Sequence, residues 1–194
     1  MSKGAQTRKV ILQVAFELTY RNGYQNTSID DILKKTHVTK GSFFYHFKNK
    51  DQMGLAMVDE ILYPGMKKVM IEPLLDSNKP IEELKAMMKG LLFANSFFDI
   101  RYGCPAVNLI QEMASVSKDF NTRLKKLSNE WKKAISAVVD KARENNTIDR
   151  SHKSEDVALY IIAGYGGVRN LGKLYGKGSY DQFYREFVLY LEGL

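Results

Sequence analysis

The chain has 194 residues, 44% of them hydrophobic and 26% charged, with a formal net charge of +7 at neutral pH, which is enough apolar mass for one generous domain or two small ones. Its longest apolar runs, such as Leu91-Leu92-Phe93-Ala94 and Ile161-Ile162-Ala163, fall far short of the roughly 18 residues a membrane span requires, and no signal-peptide pattern opens the sequence, so a soluble, cytoplasmic protein is expected. A single cysteine, Cys104, excludes an intrachain disulfide and a cysteine metal cluster, and His37, His46 and His152 lack metal-ligand spacing; neither a metal nor a cofactor is expected.

Helical signals run the length of the chain. Val10, Val14 and Leu18 repeat every four residues beside Ile11 and Ala15, an amphipathic helix that Asn22-Gly23 ends. Thr27-Ser28 supplies the N-cap of a short second helix, with Asp31 placed to meet its positive end and Ile29, Ile32 and Leu33 on its apolar side. After Thr36-His37-Val38, Thr39 caps a third short helix, Lys40-Gly41-Ser42-Phe43-Phe44-Tyr45-His46-Phe47, closed by Lys48-Asn49-Lys50. Asp51 caps a fourth, carrying Met53, Leu55, Met57, Val58 and Ile61, until Tyr63-Pro64-Gly65 interrupts or kinks it and serves as a linker.

Asn78-Lys79-Pro80 opens a helix with Ile81, Leu84, Met88, Leu91 and Leu92, whose pattern is lost between Asp99 and Gly103. Cys104-Pro105 starts the next, with Pro105 suited to a first turn. A segment from about residue 118 to 145 carries Leu124, Leu127, Trp131, Ile135, Val138 and Val139, well beyond the usual ~11 residues of a helix. Ser154 caps a segment through Val157, Ile161 and Ile162 into Gly164, Gly166 and Gly167. Those glycines either permit close helix approach or mark a break, since each has a helix cost. Ser179 caps a last helix with Phe183, Phe187, Leu189 and Leu191.

Three short helices with a tight turn between the second and third make a helix-turn-helix, whose third helix presents its first side chains to the major groove. Charge supports this. Residues 1–50 hold nine Lys/Arg against three Asp/Glu, a balance of +6, and the other 144 residues contribute only +1; a basic segment on a neutral body is the footprint of a phosphate-binding module. Gly41 and Ser42 let the backbone approach DNA, Lys40 reaches a guanine edge or phosphate, and Tyr45 and His46 offer donors. Phe44 and Phe47 are expected to pack the helix. No Gly-rich phosphate loop, nucleophile elbow or H-E-x-x-H appears, so an enzyme is not expected; an architectural DNA binder without a ligand is the alternative.

Thr27-Ser28-Ile29-Asp30-Asp31-Ile32 and Val38 through Asp51, continuing to Leu55, resemble the TetR family of regulators. The resemblance implies an all-α fold with a small N-terminal helix-turn-helix domain (residues 1–50), a connecting helix (51–66) and a larger helical effector-binding and dimerisation domain (67–194). It implies a homodimer on a palindromic double-stranded operator, a repressor released by a small molecule or electrophile. Thr27 and Lys50 would then hold phosphates and Lys40, Gly41, Ser42, Tyr45 and His46 would lie at the groove, with Ser28, Thr39 and Phe43 completing the DNA-binding set. Two positions depart from the family pattern. His37 stands where the turn usually has glycine, a conformation uncommon for other residues though less so for His, and Phe44 replaces a frequent tyrosine.

In the second half, the resemblance implies that roughly residues 154–175 and 179–194 pair with their copies in a four-helix interface. Aromatic and methionine side chains there are either core or the lining of an effector cavity. Gly103-Cys104, with Asn108 and Glu112 on the following helix, resembles members that respond to electrophiles or oxidants. A helix start and the nearby Arg101 would favour the Cys104 thiolate, or Cys104 is an inert small hydrophobe. Cys104, Arg101, Asn108, Glu112, Phe97, Trp131 and Tyr165 are the candidate effector residues.

Overall fold

The computed structural model describes residues 2–75, 78–94, 98–149 and 151–194; among these the regular structure is all helical, with no strand. The chain forms two compact units. One comprises Met1–Gly65 with Pro105–Lys125, the other Met66–Cys104 with Lys126–Leu194. Residues 105–125 pack with the first unit through long-range contacts described below.

In the first unit, α1 (Lys3–Asn22) opens with Ser2 accepting from the Ala5 N–H at 3.3 Å and ends at Gly23, whose φ of 89° is open to a residue without Cβ. Its buried face is Ile11, Leu12, Ala15 and Thr19, displaced from the expected Val10, Val14 and Leu18, which are only half-buried. The two stripes run side by side, and packing on α2, α3 and α4 selects between them. In α2 (Ile29–Thr36), Ser28 accepts from the Asp31 N–H while Asp31 accepts from the Ser28 N–H, so both cap partners are reciprocally satisfied. Next comes α3 (Lys40–His46), capped by Thr39, whose Oγ1 accepts from the Ser42 N–H at 3.2 Å.

The fourth helix, α4 (Lys50–Met57), is capped by Asn49 rather than Asp51: Asn49 Oδ1 accepts from the Gln52 N–H at 2.8 Å, while Asp51 accepts from the Tyr24 hydroxyl. Pro64 does not break the chain's helical course. A π-helical turn over Val58–Leu62 precedes α5 (Tyr63–Met70), and its wider hydrogen-bond register, with the Tyr63 N–H on Val58 O, accommodates a proline that has no N–H to give. This unit also takes α7 (Pro105–Met113) and the first turns of α8 (Lys118–Glu144).

The second unit holds α6 (Pro80–Lys89), the rest of α8, α9 (Ser154–Tyr175) and α10 (Lys177–Glu192). Its core includes Leu84, Met88, Trp131, Ile135, Val139, Ile161, Tyr165, Phe187 and Leu191. Gly164, Gly166 and Gly167 sit inside an unbroken α9, so they mark no bend. A side chain at Gly164 would meet Phe183 of α10, and one at Gly172 would run into the Tyr180 ring; these two glycines let α9 and α10 approach closely. Ser154 and Ser179 do not act as N-caps. Lys153 and Gly176 occupy those positions, and Ser179 Oγ donates to Gly176 O at 2.8 Å from inside α10.

Candidate nucleic-acid interface and effector core

The turn between α2 and α3 is held without glycine. His37 takes the left-handed conformation (φ 56°, ψ 22°), and its N–H caps α2 on Leu33 O at 3.0 Å, a cost tolerated by a residue type enriched there. Thr36 Oγ1 accepts from the Val38 N–H and donates to Ile32 O. The turn survives the substitution intact, and α3 is aimed by its core face. Phe43 and Phe47, one turn apart, are fully buried with ring centroids 5.6 Å apart. Phe44, expected in the core, is 43% exposed, and Phe43, counted in the DNA-binding set, is inside. The helix phase explains the exchange: positions 43 and 47 share a face, and position 44 lies about 100° round from 43.

Opposite that core, Lys40, Gly41 and Tyr45 are exposed, Tyr45 at 83%, and Ser42 and His46 are half-buried. Nothing lies within 4 Å of where a Gly41 Cβ would stand. The fixed polar groups are committed elsewhere. Thr27 is buried and donates to Gly23 O, and the Ser28 and Thr39 side chains serve their caps. Of the nine basic residues in the first fifty, Arg8 bonds Glu60 and stacks over Phe47, Lys35 and Arg21 pair with Glu17, and Lys50 turns inward. Lys3, Lys9, Lys34, Lys40 and Lys48 are exposed and carry the outward positive field.

Two long-range clasps finish this unit. Glu112 on α7 accepts from the Tyr24 N–H (2.8 Å) and the Gln25 N–H (2.6 Å) with its two oxygens, fixing the segment between α1 and α2. Tyr24 packs on Phe120 at 4.9 Å and its hydroxyl is shared between Asp51 and Lys50 O; burial first, then Asp51, pushes that phenol far above its ordinary value. The Lys50 ammonium donates to Gln25 O at 3.1 Å and lies 4.6 Å over the Tyr24 ring, and burial lowers its pKa.

In the second unit, Cys104, Trp131 and Tyr165 all lie in the core. Trp131 meets Tyr165 edge-on at 5.3 Å and donates to Met87 Sδ at 3.4 Å. The Tyr165 phenol is pushed well above its ordinary value, by burial foremost and then by Cys104. Arg101 is not the cation at Cys104: it is exposed and bonds Asp99 at 2.6 Å. That position belongs to Lys173, whose side chain lies against Gly103 and whose pKa is lowered by burial, and to the buried Arg169, which donates to Gly103 O. Asn108 and Glu112 belong to the other unit, Glu112 being spent on backbone N–H groups, and Phe97 lies outside the described residues.

Residues 11–57 match the family described as bacterial regulatory proteins, tetR family, and residues 80–188 match the tetracyclin repressor-like C-terminal domain. The chain belongs to the tetR family. An uncharacterized HTH-type transcriptional regulator of Lactococcus lactis is 33% identical over 130 residues, 67% of this chain and 66% of that protein. Transcriptional regulator AcuR of Cereibacter sphaeroides is 26% identical over 84% of this chain and 75% of its own. A tetR-type regulatory protein from Rhodobacter sphaeroides superposes with a TM-score of 0.82 at 25% identity, covering 93% of this chain and 96% of that one. As a tetR-family member the chain is a DNA-binding regulator of transcription, of a kind that binds operators as homodimers and answers to small molecules. The family are regulators, not enzymes. No described helix is long and apolar enough to cross a membrane. Sequence reasoning missed Arg169, Lys173 and Tyr180; the signal for Arg169 was its place four residues beyond Tyr165 and eight beyond Ile161, on the buried face of α9.

Proposed function

We propose that this chain is a cytoplasmic, homodimeric repressor whose α3 reads a palindromic operator and whose second unit releases it on binding a small molecule or electrophile. Residues 1–50 form the reading head, 51–66 connect it, and 67–194 bind effector and partner, with 105–125 packed in the first unit. The carrying observation is the two-faced α3: Phe43 and Phe47 are buried, while Lys40, Gly41 and Tyr45 are presented outward. Lys40, Ser42, Tyr45 and His46 meet base edges and nearby phosphates. Thr27, Ser28 and Thr39 act through the backbone they cap, and Lys50 reaches phosphate only by leaving Gln25 O.

Dimerisation is assigned to α9 and α10, where Leu159, Tyr160, Leu171, Leu174, Tyr175 and Leu189 are all more than 45% exposed, a large apolar surface to leave in water. Gly167, with nothing within 4 Å of its would-be Cβ, leaves room there for a second copy. The effector signal passes along α7, which directly follows Cys104 in the chain and carries Glu112 to the α1–α2 segment. Selection of bound fragments from random DNA tests the reading. A palindromic consensus, with a dimer in sedimentation, is expected; binding without sequence preference returns the architectural alternative.

A second reading of the signal rests on Cys104, fully buried beside Lys173. Small electrophiles that reach this thiol place new bulk at the start of α7, and only a modification favouring one of two states shifts the equilibrium. Cys104→Ser should then be blind to such reagents while binding operator normally; full release of the variant would reduce Cys104 to packing.

A further inference from the structure

The second unit carries a solvent-open pocket of about 440 Å³, lined by Leu92, Phe93, Phe98, Ile100 and Tyr180 together with Arg169 and Lys177. Arg169 is the largest of the fully buried side chains, 1% exposed. A buried cation ordinarily has a carboxylate partner, and among the described residues none pairs with this one. Two of its nitrogens donate to backbone carbonyls, Leu91 O at 3.3 Å and Gly103 O, and its face is packed between the rings of Phe98 (4.9 Å) and Tyr180 (5.2 Å). Its Nε has no hydrogen-bond partner among the described residues, and the buried Tyr180 hydroxyl lies beside the same guanidinium. Those carbonyls hold the guanidinium in place without neutralising it, so one positive charge and the Nε donor have no acidic partner among the described residues. Among the described lining residues the only carboxylate, Asp99, is bound by Arg101 through both of its oxygens.

We infer that this cavity is the site of a small organic carboxylate, whose anionic head takes the Arg169 Nε–H and whose apolar body lies against Leu92, Phe93 and Phe98. The assignment deepens the effector reading above and rests on it for its regulatory meaning. A monoanion matches the single uncompensated charge, and the aromatic and aliphatic walls suit a hydrocarbon body that inorganic phosphate lacks. Lys177, exposed at the edge, adds long-range attraction on entry and no buried contact. The volume falls in the range of small-molecule sites, about 300–1,000 Å³.

The test is calorimetric titration of the full-length protein with benzoate, its neutral counterpart benzamide, and inorganic phosphate. Benzoate is expected to bind at least about tenfold more tightly than benzamide, the difference a charge-assisted hydrogen bond supplies. Arg169→Met should remove that preference. Because this variant also loses the bonds to Leu91 and Gly103 and can fail to fold, Ile100→Trp, which adds bulk to the pocket wall and keeps the Arg169 side chain, provides a second arm and should abolish benzoate binding. Lys177→Gln should weaken it only slightly, about twofold, and flatten its salt dependence. Equal binding of benzoate and benzamide, retention of benzoate by Ile100→Trp, or preference for phosphate would each overturn the assignment. Operator release is scored separately. Benzoate that binds through Arg169 but leaves operator bound counts against the effector reading and not the site, whereas release by other small molecules with no benzoate binding counts against the site alone.

Discussion

The two units treat their buried polar groups in opposite ways. Around the helix-turn-helix, the polar side chains below the surface have assigned partners: Thr27 on Gly23 O, Tyr24 on Asp51, Glu112 on two backbone N–H groups. In the effector half, the buried Arg169 Nε has no partner among the described residues, and the buried Tyr165 and Tyr180 hydroxyls have only Cys104 and Arg169 beside them. Unpaired buried polar atoms are rare in folded proteins and each asks for an explanation. The contrast separates a finished reading head, whose outward side chains alone await DNA, from an interior built to receive something.

The comparison is broken most severely at Glu112. Glu112→Ala leaves the Tyr24 and Gln25 N–H groups without their charged acceptor, and a loss of about 2 kcal/mol in unfolding free energy is expected from denaturant titration; a loss below about 0.5 kcal/mol would mean that the clasp is replaced by water. Next comes the α2 cap, where Ser28→Ala should cost about 1 kcal/mol. The same cap has a pH signature. Hydrogen bonds from the Ser28 side chain and then its backbone hold the Asp31 carboxyl below its ordinary value, so its contribution is complete above the usual aspartate range and disappears as pH falls through the lowered folded-state value. Acid titration followed by amide exchange in α2 should show it, and Ser28→Ala should diminish it, leaving the part carried by the backbone N–H. The smallest expected effect is the most telling: Tyr165→Phe removes a buried hydroxyl whose hydrogen-bonding neighbour is the Cys104 thiol, a weak partner, so thermal unfolding should be unchanged or slightly improved. A clear loss of stability there would show that the hydroxyl is satisfied in solution and would remove half of the contrast.

How legible all this is in the sequence depends on the range of the interaction. Local signals are readable: Ser28 and Thr39 as caps, Gly23 as a stop, Pro105 as a first turn, and the long α8, because each is set by residues within one or two turns. Choices between neighbouring positions are less so. The stripe in α1 and the exchange of Phe43 with Phe44 turn on which side the other helices occupy, and two adjacent aromatic residues carry no information about that. Asn49 takes the cap from Asp51 because Tyr24, 27 residues away in sequence, draws Asp51 aside. Glu112 is least legible, since its partners are 88 and 87 residues distant and nothing local distinguishes it from a ligand-orienting carboxylate. Arg169 stood in the open as a charge in register with an apolar face, and its meaning required seeing that no acid comes to meet it.

The central claim is that α3 reads the operator through side chains that take no part in holding the fold. Its most direct test is the affinity of Tyr45→Ala and Lys40→Ala for a selected operator fragment at fixed salt, alongside their thermal unfolding. A loss of about 1–3 kcal/mol in binding for each is predicted, with the Lys40 variant also reducing the slope of affinity against salt by about one unit, and with melting temperatures unchanged. Undiminished affinity in both variants would contradict the assignment of α3 as the recognition helix.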